Sequence, residues 1–141
     1  MKGQTVRVRR PEGLPDSLPP MSGRGYVVPD GDMLVLGSNY DNDFDDLTPD
    51  PDATAYIQEK TSTMLPGLGQ TEVLGATAGV RVKHTDTNQP LLGPLPSRDW
   101  IWVFTALGSK GLLTAPLLAL NLHTYFNDPT QIPTPVSTQK G

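Results

Sequence analysis

The turn Gly108-Ser109-Lys110-Gly111 combines small residues with one cation directly before an apolar segment. Glycine lets the backbone approach a ligand closely, and the first N–H groups of a helix lack intrahelical acceptors. A turn of this kind can therefore hold an anion or a polarised carbonyl, and Lys110 would add positive charge. A simple strand-to-helix connection that needs glycine for its geometry is the alternative, because a lone glycine-rich turn is a weak motif.

Aspartates in the loop after residue 38 have spacings that resemble a calcium loop: Asp41, Asp43, Asp45 and Asp52. The sixth position of such a loop needs glycine for its sharp turn, and here it is Asp46. The twelfth position is Asp52 rather than a bidentate Glu. These mismatches favour a solvated acidic loop, so a calcium module is only the third hypothesis and no metal site is predicted.

The composition narrows the class of protein. The 141 residues include 15 Pro and 14 Gly, which is typical of a loop-rich globular domain. The net charge of −4 argues against nucleic-acid binding, because neutralising phosphates requires a cationic face. The absence of Cys excludes disulfides, thiolate zinc sites and Cys nucleophiles. The longest apolar run, 112–122, is shorter than the ~20 residues of a membrane span, and no signal peptide is recognisable, so we expect a soluble, cytoplasmic protein.

Short strands dominate the first half of the chain. Alternation over 5–10 predicts a half-buried strand with Val6 and Val8 on its inner face. Asp30-Gly31 between two β-rich runs predicts a hairpin. Asp50 and Pro51 begin a predicted helix that ends near residue 65, with one side formed by Tyr56, Ile57, Met64 and Leu65.

The second half adds two strands and a final helix. Residues 71–84 read as a long strand with small residues in its middle, and 86–96 as a turn-rich connection. The run 100–107 is typical of a strand buried on both faces, with Trp100 and Trp102 in the core. The helix after it begins near Ala115 or is kinked at Pro116. The predicted class is α+β, a mostly antiparallel sheet with a mid-chain helix and a C-terminal strand–turn–helix.

The order of these motifs resembles the C-terminal part of FAD-dependent oxidoreductases of the D-amino-acid oxidase superfamily. Its glycine oxidase, sarcosine oxidase and tRNA-modifying aminomethyl-uridine oxidase branches are the most similar. The resemblance extends to about Tyr125 and rests on KGQTVRV, YVVPDGDMLVLGS, MLPGL, ATAGVRV, QPLLGPLP and IWVFTALGSKGLLTAPLLA. The Gly-x-Gly-x-x-Gly motif that holds the pyrophosphate does not occur in this sequence.

This resemblance implies a partial D-amino-acid-oxidase-like fold that lacks the N-terminal dinucleotide-binding unit. Residues 1–95 would be a substrate-domain-like antiparallel sheet region, and 96–126 the returning strand–turn–helix of the flavin domain. Residues 127–141, which have no apolar periodicity, are expected to be a disordered tail. The chain thus resembles the C-terminal half of an oxidoreductase that begins at an internal or substituted Met.

The resemblance also implies site residues. FAD would lie with its pyrimidine edge against the turn formed by Gly108, Ser109, Lys110, Gly111 and Leu112. Arg81 would pair with the substrate carboxylate, although Val82 stands where the family usually has Pro; an arginine snorkelling from a strand end is the alternative. Lys110 stands where Arg is common. No catalytic residue is assigned, and neither His84 nor His123 matches a catalytic position.

Two functions follow as hypotheses. In the first, the chain is the C-terminal region of an amine or amino-acid oxidoreductase that moves hydride from a substrate C–H to flavin and is inactive alone. In the second, it is a separately encoded subunit or binding module that docks onto a partner carrying the FAD-binding half. The apolar strand at 100–104 would supply the docking surface, and the same surface would allow homo-oligomers.

Overall fold

The computed structural model describes residues 1–139 and divides into two compact units, Met1–Val80 and a second unit from Arg81 onward. The predicted boundary after residue 95, between a substrate-side region and a flavin-side region, stays a prediction. Helices and antiparallel sheets occur together, as the sequence predicts. Each unit has a hydrophobic core of its own.

The first unit is a five-stranded antiparallel sheet with one helix. Its strands follow the order β2-β3-β4-β1-β5 across the sheet. Their bounds are β1 Lys2–Arg9, β2 Met21–Ser22, β3 Tyr26–Asp30, β4 Met33–Gly37 and β5 Val73–Val80. The helix, α1, spans Pro51–Ser62.

The inner face of β1 forms the centre of the core. Val6 and Val8 are fully buried, whereas Arg7 and Arg9 are exposed, which confirms the predicted alternation. Arg9 Nε donates to Glu72 Oε2 at 2.8 Å across the exposed face. The buried residues that surround Val6 and Val8 are Val27, Leu34, Leu36, Ile57 and Leu68.

The hairpin formed by β3 and β4 is also confirmed. Asp30 pairs with Met33, which leaves Gly31 and Asp32 as a two-residue loop. Gly31 has φ +61°, a left-handed conformation that glycine adopts without a steric penalty. The Asp-Gly signal therefore located the turn correctly.

Helix α1 begins as predicted, and its buried side matches the predicted face in part. The Asp50 carboxylate accepts a hydrogen bond from the Asp52 amide at 2.9 Å, which is the expected N-cap. The buried residues are Ala53, Ile57 and Thr61, spaced one helical turn apart, while Tyr56 is 54% exposed. Ile57 of the predicted face is thus confirmed, whereas Tyr56 points to solvent; the helix ends at Ser62, and Leu65 packs against the core from beyond it.

The second unit is a β-hairpin packed against short helices. It contains β6 Leu91–Leu95, β7 Arg98–Thr105, a 3₁₀ helix Gly108–Lys110, α2 Gly111–Ala119 and α3 Leu122–Asn127. The prediction of a turn-rich connection over 86–96 was wrong for Leu91–Leu95, which form strand β6. Gly93, with φ +138°, and a register shift after Pro94 accommodate both residues within the strand, so they do not end it.

Strand β7 is less buried than its composition predicts. Trp100 is 75% exposed, and Trp102 is half-buried with its ring 4.5 Å from that of Phe126. The prediction of a strand buried on both faces was wrong: no residue of β7 is fully buried, and within residues 1–139 the strand belongs to a two-stranded sheet with β6.

Helix α2 and the segment after α3 complete the second core. The helix begins at Gly111 and holds Pro116 in its interior, so the predicted start near Ala115 was wrong. Of the predicted tail over 127–141, the residues up to 139 are described, and Ile132 and Val136 among them pack into this core. Residues 140 and 141 of that tail lie outside the described residues. The buried cluster consists of Leu92, Leu118, Tyr125, Ile132 and Val136.

Candidate functional site

The predicted turn is a 3₁₀ helix that runs directly into α2. Gly108 has φ +59°, and an ideal Cβ built on it would meet nothing within 4 Å. A Cβ on Gly111 would lie 3.0 Å from the Cβ of Leu107, which is tighter than ordinary contact. Gly108 thus provides the left-handed backbone, and Gly111 provides the close approach between turn and helix.

The amino-terminal end of α2 has no side-chain cap. Lys110 is the N-cap residue and Leu107 precedes the 3₁₀ helix, and neither position makes a capping hydrogen bond. The first N–H groups of a helix carry partial positive charge and have no intrahelical acceptors. Because Ser109 and Lys110 are exposed, this end of the helix offers N–H donors and one ammonium group to a polarised oxygen.

Arg81 lies close to this turn in the fold. It is half-buried at the start of the second unit, immediately after β5. Two residues later, Lys83 forms an antiparallel bridge with Leu107, the residue before Gly108. The structure therefore brings the Arg81 segment beside the 3₁₀ turn, although the two are distant in sequence.

The face of α2 that continues from the turn is apolar and open. Leu112 is 98% exposed and Leu120 is 82% exposed, while Leu118 alone is buried on this helix. Leu113 and Leu117 are exposed as well. We define the exposed leucine face as Leu112, Leu113, Leu117 and Leu120.

The two histidines make local contacts. His84 Nδ1 accepts from the amides of Asp86 at 3.3 Å and Thr87 at 3.4 Å, within one turn. His123 lies beside Asn127, one helical turn further along α3. Neither histidine belongs to the 3₁₀ turn.

The acidic loop uses its carboxylates to form turns. Asp41 Oδ1 accepts from the Asp43 amide at 2.9 Å, and Asp46 Oδ1 accepts from the Thr48 amide at 2.7 Å. The hydrogen bonds from Thr48 hold the pKa of Asp46 below its ordinary value. Across residues 1–139, no three acidic or histidine side chains group closely enough to hold a metal ion. In the same part of the chain, no helix is long and apolar enough to cross a membrane.

Sequence reasoning missed a cavity in the first unit. Its volume is about 280 Å³, and its lining includes Arg24, Tyr26, Ser38, Tyr40 and Lys60. The ring of Tyr26 lies over Gly37, where any Cβ would collide with it. The one local sign of this cavity in the sequence is the pair of glycines on either side of Arg24, Gly23 and Gly25. Lys60 has no such sign, because it comes from α1, far along the sequence.

The family model for FAD dependent oxidoreductases matches residues 1–122. The chain belongs to this family of FAD dependent oxidoreductases, which confirms the resemblance read from the motifs.

Several curated relatives and solved structures are similar to this chain. A tRNA 5-methylaminomethyl-2-thiouridine biosynthesis bifunctional protein of Polaromonas sp. is 35% identical over 87% of this chain and 22% of its own length. The glycine oxidase of Pseudomonas putida is 30% identical over 82% of this chain and 32% of its own. The chain thus spans between a fifth and a third of the length of these relatives.

The crystal structure of iminodiacetate oxidase from Chelativorans sp. superposes with a TM-score of 0.74 at 20% identity. It covers 98% of this chain and 40% of the solved one. The glycine oxidase from Geobacillus kaustophilus has a TM-score of 0.70 at 24% identity, over 86% and 33% of the two chains. At these identities the similarity establishes the fold.

Proposed function

We propose that this chain forms the substrate-side sheet and one edge of the flavin site of an FAD-dependent amine or amino-acid oxidoreductase. The observation that carries the proposal is the uncapped start of α2 at the 3₁₀ turn, with the Arg81 segment bridged beside it. The family match over residues 1–122 gives this turn its context. The first unit is the substrate-side sheet, and the second carries the flavin-facing turn.

The residues of the turn suit the pyrimidine edge of FAD. Within Gly108, Ser109, Lys110, Gly111 and Leu112, the donors are the N–H groups at the start of α2 and the Lys110 ammonium group, and no side chain blocks Gly108. Such donors stabilise negative charge on the oxygen and nitrogen atoms of that edge. When bound, FAD supplies the hydride acceptor for a substrate C–H bond beside nitrogen. The chain's contribution is to orient the ring and to favour its reduced, more negative form.

Arg81 is proposed to bind the substrate carboxylate. Guanidinium is a fixed two-pronged donor that matches a carboxylate in geometry and charge. Its position next to the turn would hold an amino-acid substrate near the flavin edge. This chain contributes one side of such a site, so we propose that the isolated chain does not turn over glycine or sarcosine.

The test is a chimera in which this chain replaces the matching C-terminal region of the Pseudomonas putida glycine oxidase. We expect the chimera to incorporate FAD and the flavin to be reduced anaerobically by an amine substrate. Lys110→Met should lower the flavin reduction potential and shift its absorbance, because a positive charge is removed from the pyrimidine edge. Arg81→Lys should raise KM for an amino acid about tenfold or more with a smaller change in kcat.

Arg98→Met is the matched control, since this exposed cation lies on the same unit but away from the turn. A chimera that binds flavin yet keeps its potential in Lys110→Met would contradict the role of the turn. Unchanged kinetics in Arg81→Lys would contradict the role of Arg81.

The exposed leucine face favours a second candidate function, a separately encoded subunit that docks onto a partner carrying the FAD-binding half. The two proposals differ in the arrangement of genes and chains. Coding DNA directly upstream with an in-frame Gly-x-Gly-x-x-Gly motif would favour one long enzyme. An upstream stop codon with a promoter would favour the separate subunit.

A further inference from the structure

Three adjoining depressions in the first unit share two cations. Arg24 and Lys60 line all three, whose volumes are about 590, 210 and 280 Å³. Asp50 and Asp52 line the first of them, and Glu59 lines the second. The third, which we name the Arg24 cavity, has no acidic side chain in its lining: Ser22, Gly23, Arg24, Gly25, Tyr26, Ser38, Tyr40 and Lys60.

The position of Lys60 in this cavity is fixed by its neighbours. Its Nζ donates to the backbone oxygen of Ser38 and lies 5.0 Å from the centroid of the Tyr56 ring. Gly25 allows this arrangement, because a Cβ there would lie 3.1 Å from Lys60 Cε and collide with the Gly37 carbonyl oxygen. The ammonium group is thus held at the cavity wall.

Of the two cations, Arg24 and Lys60, it is Arg24 whose side chain is available to a ligand. Within residues 1–139 its side chain makes no hydrogen bond or ion pair. It lies between two glycines, which leave the neighbouring backbone uncovered by side chains. Two positive groups, two serines and two phenols around a cavity without carboxylates form a surface that favours an oxyanion.

We propose that the Arg24 cavity binds an oxyanion, a carboxylate or phosphate group, with Arg24 as its principal ligand and Lys60 as the second charge. The guanidinium fork supplies paired donors to two anion oxygens, and the ammonium group adds a point charge. This site is separate from the flavin-facing turn, because all of its lining residues belong to the first unit and its ligand binds without flavin. It would recognise a charged group on a substrate or ligand that Arg81 does not engage.

The test is an NMR titration of the 141-residue chain with inorganic phosphate or with malonate, at constant ionic strength set by chloride. We expect saturable shifts of the Ser38, Tyr40 and Lys60 amides. Saturation by phosphate identifies a phosphate group as the ligand chemistry, and saturation by malonate alone identifies a carboxylate. Saturation by neither overturns the proposal.

Arg24→Ala should weaken the binding about tenfold or more, because a charge-assisted fork is lost. Arg24→Lys keeps the positive charge but lacks the two-pronged guanidinium, so its affinity should lie between those of the unmodified chain and Arg24→Ala. Arg7→Ala is the matched control, since Arg7 is an exposed cation of the same sheet that lines none of the three depressions. Equal weakening in Arg7→Ala and Arg24→Ala would mean unspecific charge attraction and would overturn the site. Flavin is absent from the titration, so its result is independent of the function proposed for the turn.

Discussion

Gln4 shows how a single buried polar residue joins two elements of the first unit. Its side chain is 1% exposed, and its Oε1 accepts from the Asp50 amide at 2.7 Å. Its Nε2 donates to the Asp50 carbonyl oxygen at 3.0 Å and to Thr54 Oγ1 at 2.6 Å. Strand β1 is therefore tied to the amino-terminal end of α1 by three side-chain hydrogen bonds of Gln4. The alternation of β1 places Gln4 on the same face as Val6 and Val8, but its partners Asp50 and Thr54 follow only from the fold.

Gln4→Ala should lower the free energy of unfolding of the first unit by about 2–4 kcal/mol, because buried partners lose their hydrogen bonds. Amide hydrogen exchange of Val6 and Val8 measures this opening. Gln70→Ala is the control, since Gln70 is exposed and its side chain makes no hydrogen bond within residues 1–139. Its effect should stay within about 0.5 kcal/mol. Equal effects of the two changes would contradict a structural role for Gln4.

Elements with a strong local signal were predicted well, and those that depend on context were not. Asp50 and Pro51 began α1, and Asp30-Gly31 located the hairpin of β3 and β4, because capping and turn formation involve neighbouring residues. Strand β6 was missed, since Gly93 and Pro94 read locally as a turn. Its pairing with β7 overrides that signal.

The 3₁₀ helix Pro129–Gln131 should respond to acid through its N-cap. Asp128 accepts from Thr130 Oγ1 at 2.6 Å and from Gln131 Nε2 at 3.1 Å. These hydrogen bonds, with that of the Thr130 amide, hold the pKa of Asp128 below its ordinary value of 3.8. A lowered pKa in the folded chain means that the cap stabilises the turn above pH 3.8 and is lost as the pH falls through the folded pKa.

A carbon NMR titration of the Asp128 carboxyl measures this directly. Its midpoint should lie below the ordinary value and move back towards it in Thr130→Val, which removes the hydroxyl donor. Asp128→Asn keeps an acceptor oxygen but removes the titrating carboxyl, so the Thr130 amide shift should no longer change with pH. A midpoint at the ordinary value in the unmodified chain would contradict the cap.

At the scale of the whole molecule, the second unit leaves much of its apolar surface uncovered. The sequence indicated an apolar docking surface but placed it on the strand at 100–104. The exposed leucine face of α2 is a further apolar surface of this unit, and it follows directly after the proposed flavin-facing turn in the chain. Leucines at such exposure are typical of a surface that another protein segment covers.

Leu112→Lys combined with Leu117→Lys should reduce both self-association and apolar dye binding of the isolated chain, since it places two charges on this face. Sedimentation velocity over a range of concentrations and dye fluorescence measure the two effects. Leu47→Lys is the control, because this leucine is 49% exposed but belongs to the first unit. A monomer without dye binding in the unmodified chain would contradict the prediction.

The sequence by itself determined the family, the alternating strand β1, the hairpin, the N-cap of α1 and the residues of the 3₁₀ turn. Each depends on residue types that are neighbours in the chain or on a motif order that survives without coordinates. The tertiary structure decided which apolar residues are buried, as Trp100 and Ile132 demonstrate, because burial depends on what packs against a residue. It also brought Arg81 to the turn through the bridge between Lys83 and Leu107, and Lys60 to Arg24. Pairings between distant segments have no local signature, so they are available only from the folded chain.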